Sequence, residues 1–279
     1  MPTLHRADTV TTYDDHQPAR NNSSPALLLV HGHPFDRSLW LPQAEHFATQ
    51  GFRVVVPDLR GYGQSTGPAV TTLRDFTDDL IALADHLGLD RFVLGGLSMG
   101  GQIAMQTIAD HPGRVEALLL ANTFPSAETP EGKTQRRATA TRVEQEGMPA
   151  YADELLPKML SARTRTDNPQ VTRHVHTMMR TTPPAGAAAA LRARAVRPDY
   201  RRTLSDIRVP TLVTTGSEDE FTPVADAQLM HRLIPGSTLA VLEGAGHLPN
   251  LESAAEFNDV FGRFLHPLRR EPDPQAEER

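Results

Sequence analysis

The chain has no cysteine among its 279 residues. That excludes a disulfide framework, a thiolate nucleophile and a cysteine-ligated zinc site. It leaves the compartment open, because a cysteine-free chain works in reducing and oxidising surroundings alike. No apolar run approaches the roughly 20 residues needed to span a bilayer, and residues 1–8 lack the apolar core of a signal peptide. Positive charge is not in excess: 28 Lys and Arg stand against 34 Asp and Glu, a formal net charge of −6. Neither nucleic acid nor an anionic membrane is therefore an expected partner. No internal repeat is present. What is there, 39% hydrophobic and 22% charged residues, suits a soluble protein. The expected location is cytoplasmic, and the length fits one large α/β domain or a domain with a modest insertion.

Short apolar runs alternate with helical patterns through the first half. Strands are expected at Ala26–Val30, 53–57, Phe92–Leu97 and Val115–Ala121, with helices at 38–50, 71–87 and 101–109. In the helix at 71–87, Leu73, Phe76, Leu80, Leu83, Ala84 and Leu87 share one face. Continuously apolar strands joined by helices imply an α/β fold, a mostly parallel sheet covered on both faces. The rhythm breaks at Asn122. Residues 123–205 hold no strand-like run but carry helical stretches punctuated by Pro149, Pro157, Pro183, Pro184 and Pro198. Some 80 structureless residues inside a compact domain are unexpected, so this segment reads as a helical cap inserted in a core of 1–122 and 206–266. Alternation resumes with strands at Thr211–Gly216 and Thr238–Leu242 and helices at 223–234 and 253–265. Residues 267–279 read as a disordered tail.

The run from Arg91 to Gln102 carries the most chemistry. A buried strand is followed by Gly96-Leu97-Ser98-Met99-Gly100 and then a helix, the pattern of a G-x-S-x-G nucleophile elbow. The sharp turn strains the serine backbone, and side chains two residues to either side would collide, so both places go to glycine. Ser98 Oγ is thereby presented clear of the backbone, and the Met99 amide sits at a helix N-terminus aimed at developing negative charge.

A serine hydroxyl needs a histidine to accept its proton and a carboxylate to orient that histidine. Of 12 histidines, His247 stands out: Gly244-Ala245-Gly246-His247-Leu248-Pro249 follows the last strand and precedes the last helix. That is the carboxyl edge of the sheet, where ligands bind in such folds. Asp219, on the loop after the strand Thr211–Gly216, fits the carboxylate; Glu218 and Glu220 are its rivals, and Asn122 at the previous strand end is uncharged. His31-Gly32-His33-Pro34 follows the first buried strand, and the His33 amide is the natural second oxyanion donor beside Met99. His31 and His33 lack a third ligand at metal-binding spacing, so no metal site is expected.

Together, His31–Pro34, Asp58–Ser65, Gly96–Gly100, Gly216–Pro223 and Gly246-His247 resemble the α/β-hydrolase superfamily, in its esterase, lactonase and haloperoxidase-type branch. The resemblance covers residues 20–122 and 205–265. It implies an α/β-hydrolase fold and hydrolysis of an ester, lactone or thioester through an acyl-enzyme, with no cofactor. Ser98 at the elbow argues against the dehalogenases and epoxide hydrolases of the superfamily, which use aspartate there. Perhydrolysis and carbon–carbon bond hydrolysis share the same three residues, and some relatives only sense small ligands. The Asp58–Ser65 run reads as a structural turn. Phe35, Trp40, Met159 and Met178 are candidate pocket residues, and methionine-rich cap surfaces suggest a small-molecule substrate with an apolar acyl or alcohol group. The arginine clusters at Arg136-Arg137, 192–197 and Arg201-Arg202 read as solvated helix surface.

Overall fold

The computed structural model describes residues 1–18 and 24–269. Among the described residues, eight strands form one sheet in the order β1-β2-β4-β3-β5-β6-β7-β8. They are β1 (Thr3–Arg6), β2 (Thr9–His16), β3 (Ala26–Val30), β4 (Val54–Pro57), β5 (Phe92–Leu97), β6 (Val115–Ala121), β7 (Thr211–Gly216) and β8 (Thr238–Leu242). From β4 to β8 all neighbours run parallel, and β2 joins β4 antiparallel. The sheet's residues alternate between two apolar layers. Leu28, Val30, Leu94, Leu118 and Leu120 face one layer, while Leu27, Leu29, Val93 and Leu119 face the other. Both faces are covered, which is why these strands read as unbroken apolar runs.

Before residue 123 the helices are α1 (Leu41–Thr49), α2 (Leu73–His86) and α3 (Met99–Asp110). The helix expected from residue 71 starts two residues later, because Thr72 and Asp75 close a reciprocal capping box. The segment expected to be an insertion folds as α4 (Pro130–Glu146), α5 (Pro149–Met159), α6 (Ala162–Asp167), α7 (Pro169–Thr181), α8 (Pro184–Ala195) and α9 (Arg201–Asp206). Four of these helices begin with proline, whose fixed φ and missing N–H suit the first turn. Pro157 does not interrupt α5. The helix α8 docks closely on the turn after β4: a Cβ on Gly186 would lie 1.8 Å from the Gly61 carbonyl oxygen. The chain then continues through α10 (Val224–Leu233), α11 (Pro249–Glu252) and α12 (Ala254–Leu265).

Two features depart from expectation. The strands β1 and β2 form the antiparallel edge, and their Thr, Asp and His residues carry no apolar run to betray them. The tail expected from residue 267 lies outside the described residues from 270 onward. Its first part is ordered: His266–Leu268 forms a 3₁₀ turn and the Arg269 guanidinium lies 5.6 Å from the Phe52 ring centre.

Candidate active site

The parallel strands end in register, and their carboxyl ends assemble the site. Leu97 pairs with Ala121, the Ser98 amide donates to the Ala121 carbonyl at 2.9 Å, and the Asn122 amide donates to Thr214 at 2.9 Å. Ser98 takes φ +56 and ψ −113, a strained conformation for a side-chain-bearing residue. Two close approaches hold it there. A Cβ on Gly96 would lie 2.2 Å from the Gly100 carbonyl oxygen, and one on Gly100 would lie 2.2 Å from that of Val30. The helix α3 starts at Met99, directly after the serine. Among the described residues neither the Met99 nor the His33 amide donates to a backbone acceptor.

His247 and Asp219 are 2% and 6% exposed and form a buried pair: His247 Nδ1 donates to Asp219 Oδ2 at 2.8 Å. The carboxylate only accepts, so the proton sits on Nδ1 and Nε2 is left for the cavity. Asp219 is saturated with donors. Oδ2 also receives Asn122 Nδ2 at 2.7 Å and the Thr222 hydroxyl; Oδ1 receives the amides of Phe221 at 2.8 Å and Thr222 at 3.1 Å. Burial alone raises its pKa, but His247 and these donors outweigh burial and hold it down at about 2. The carboxylate is therefore ionised at any pH near neutrality.

The His247 loop is pinned from beneath. Glu252 Oε1 accepts the amides of Gly246 at 2.9 Å and Leu248 at 3.1 Å, and Oε2 accepts that of Ser161 at 2.8 Å. The His247 amide in turn donates to the Met159 carbonyl at 3.2 Å. One carboxylate thus ties the loop to the insertion. Sequence reasoning missed Glu252, since an acid three residues after a proline looks like an ordinary first-turn helix residue. Asn122, set aside as uncharged, orients Asp219 instead of replacing it, and its φ of +45 suits an asparagine.

His33, Ser98 and His247 line one cavity of about 410 Å³ between the sheet edge and the insertion. Of the four expected pocket residues, Met159 lines it. Phe35, Trp40 and Met178 do not; they are buried in the apolar layer that also holds Leu27, Leu29 and Phe257. Nor is the lining purely apolar. Phe124, Leu155, Leu191 and Phe221 share it with Arg136, Arg142, Lys158 and Arg194 and with Glu128 and Glu154. The expectation of solvated arginines is corrected at Arg194 and Arg197, which are 8% and 3% exposed. An arginine-rich stretch on an alanine helix does not reveal which of its members turns inward.

His31 and His33 have separate duties. His31 Nδ1 donates to the Gly32 carbonyl at 2.8 Å and Nε2 accepts from the Leu59 amide at 3.0 Å, so both nitrogens are engaged. The imidazole of His33 meets the Tyr62 hydroxyl at 2.7 Å and that of Tyr151 at 3.2 Å. Burial, then the charges of Arg194 and Arg136, push its pKa well down, so it stays neutral. Asp58 anchors the turn after β4: it accepts the amides of Arg37 and Gln64, each at 2.8 Å, and pairs with the Arg37 guanidinium. That is the structural role its sequence suggested.

A family profile described as alpha/beta hydrolase fold matches residues 25–254. A thermophilic esterase from Thermogutta terrifontis superposes with a TM-score of 0.89 at 37% identity, covering 93% of this chain and 94% of that one. The enol-lactonase of Burkholderia xenovorans LB400 gives 0.87 at 30% identity, covering 95% and 100%. In sequence, 3-oxoadipate enol-lactonase 2 of Acinetobacter baylyi is 30% identical over 262 residues, 92% of this chain and 96% of that protein.

Proposed function

We propose that this chain, which belongs to the alpha/beta hydrolase family, is a serine hydrolase cleaving a carboxylic ester, lactone or thioester through an acyl-enzyme. The observation that carries this reading is the buried, donor-saturated Asp219–His247 pair, whose imidazole lines the same cavity as a strained elbow serine. Similarity to an esterase and to enol-lactonases supports the ester or lactone class. Residues 123–205 act as a cap over a core of 1–122 and 206–266, and the substrate is a small molecule held between them.

In the first half-reaction Ser98 Oγ attacks the carbonyl carbon as its proton passes to His247 Nε2. Ionised Asp219 keeps the Nδ1 proton in place and stabilises the imidazolium that forms. The amides of Met99 and His33 receive the tetrahedral oxyanion, each such donor being worth roughly 10²–10³ in rate. The imidazolium then protonates the leaving oxygen or sulfur as the carbon–heteroatom bond breaks. In the second half, His247 takes a proton from water, whose oxygen attacks the acyl carbon, and Ser98 leaves reprotonated.

Hydrolysis of p-nitrophenyl acetate through octanoate by the wild type and Ser98→Ala tests this reading. Turnover in the wild type that vanishes in a folded Ser98→Ala supports it. Equal turnover in both proteins, or none with any ester or lactone, overturns it.

A further inference from the structure

The charge on the cavity wall does not balance. Arg194, projecting from α8, is 8% exposed, and the one hydrogen bond of its guanidinium among the described residues runs from Nε to Gln102 Oε1 at 3.2 Å. No carboxylate among the described residues lies within ion-pair distance of it. Glu128, an acid on the lining of the same cavity, is already engaged. It pairs with Arg136 and with Arg197 Nη1, the latter at 2.9 Å. Burial alone raises the pKa of Glu128, but these two guanidiniums hold it down at about 2, so it contributes one full negative charge. Two arginines therefore share this carboxylate, and Arg194 beside them has none. Also on the lining, Arg142 and Glu154 neutralise each other at 2.6 Å, and Lys158 adds another positive charge.

An arginine does not escape burial by losing its proton. A buried guanidinium without a counter-charge is costly, and like-charged neighbours raise that cost. Burial first, then Arg136 and Arg197, oppose the charge of Arg194. A side chain held under those conditions at the lining of a candidate active site is complementary to an anion that arrives with the substrate. The guanidinium fork matches the two oxygens of a carboxylate.

We propose that Arg194, assisted by Arg136, binds a free carboxylate on the substrate, separate from the carbonyl that Ser98 attacks. The substrate class narrows to half-esters of dicarboxylic acids and to lactones bearing a carboxylate. This assignment rests on the hydrolase reading above and replaces the expectation of a purely apolar group.

The test compares monomethyl glutarate with methyl pentanoate, two methyl esters of similar length that differ in the terminal carboxylate. The wild type is expected to favour monomethyl glutarate in kcat/KM. Arg194→Met should cut that preference by about 10–100-fold, the worth of a hydrogen bond to a charged group, mainly through KM. Arg194→Lys, which keeps the charge without the fork, should retain part of it and guards against misfolding of the methionine variant. A preference unchanged in a folded Arg194→Met overturns the proposal. Binding gives a readout independent of turnover: glutarate should raise the Tm of Ser98→Ala but not of Ser98→Ala/Arg194→Met. If the wild type hydrolyses neither ester, the hydrolase reading is the one in trouble, and glutarate alone decides the carboxylate site. Equal protection by inorganic phosphate, or none by glutarate, overturns it.

Discussion

Asn122 donates its side-chain amide to Asp219 Oδ2 at 2.7 Å, on the same oxygen that receives His247 Nδ1. The two acceptor bonds fix the carboxylate in the plane that the imidazole needs, and both favour its ionised form. Removing the amide leaves a buried carboxylate oxygen short of a donor. Asn122→Ala should lower kcat by about 10-fold with KM little changed, and should shift the acid limb of the kcat profile upward. A pH–rate profile on one ester checks both. An unchanged kcat would mean that Thr222 and the backbone amides suffice.

Glu252 offers a test of loop support. It accepts three backbone amides, from Gly246, Leu248 and Ser161. A glutamine in its place turns an acceptor into a donor facing N–H groups. Glu252→Gln is expected to cost about 1–3 kcal/mol of stability and to reduce kcat further than Tm alone explains, because His247 sits within the loop. Thermal melts paired with single-ester kinetics separate the two effects.

The elbow's tolerance is steric. A Cβ on Gly96 or Gly100 would lie only 2.2 Å from a backbone carbonyl oxygen, so neither position can relax by moving a flexible side chain. Gly96→Ala should unfold the protein or cost more than about 3 kcal/mol. Gly113, with open space around it, is the control: Gly113→Ala should leave Tm within about 2 °C.

Stability should fall with acidification in two stages. Burial lowers the pKa of His31, against the pull of its bond to Gly32, and lowers that of His33 with help from Arg194. In the unfolded chain both imidazoles titrate near about 6.5. Below that pH the unfolded state takes up protons that the folded state refuses, so stability drops. Asp219, held at about 2, adds stability that is present above about pH 4, the unfolded value, and lost as pH falls towards 2. Its share is of order 2 kcal/mol. Melts from pH 8 to 3 should show Tm declining below about 6.5 and more steeply below about 4. A Tm flat between pH 7 and 5 would contradict the buried-imidazole contribution.

The parallel sheet was legible because strands covered on both faces leave unbroken runs such as Leu27-Leu28-Leu29-Val30 and Leu118-Leu119-Leu120. The motif glycines and the order Ser98, Asp219, His247 were legible because each sits at a strand's carboxyl end, where local sequence and topology coincide. The edge strands β1 and β2 were not, since Thr9–His16 offers only Val10 and Tyr13, three residues apart, and so no period-2 apolar pattern. The inward turn of Arg194 was equally hidden. It depends on how α8 docks through Gly186 on Gly61, a contact between residues 125 positions apart. Phe35 and Trp40 illustrate the converse: proximity to the oxyanion segment in sequence placed them near the site, but large apolar side chains at a strand's end pack into the layer beneath it.

The most direct measurement is labelling with a fluorophosphonate, followed by intact mass and peptide mapping. The phosphorus should bond to Ser98 Oγ with loss of fluoride, giving one adduct per chain, and the rate should collapse in His247→Ala while a folded Ser98→Ala takes up none. An adduct on another residue, or labelling of Ser98 that proceeds equally fast without His247, would contradict a serine activated by His247.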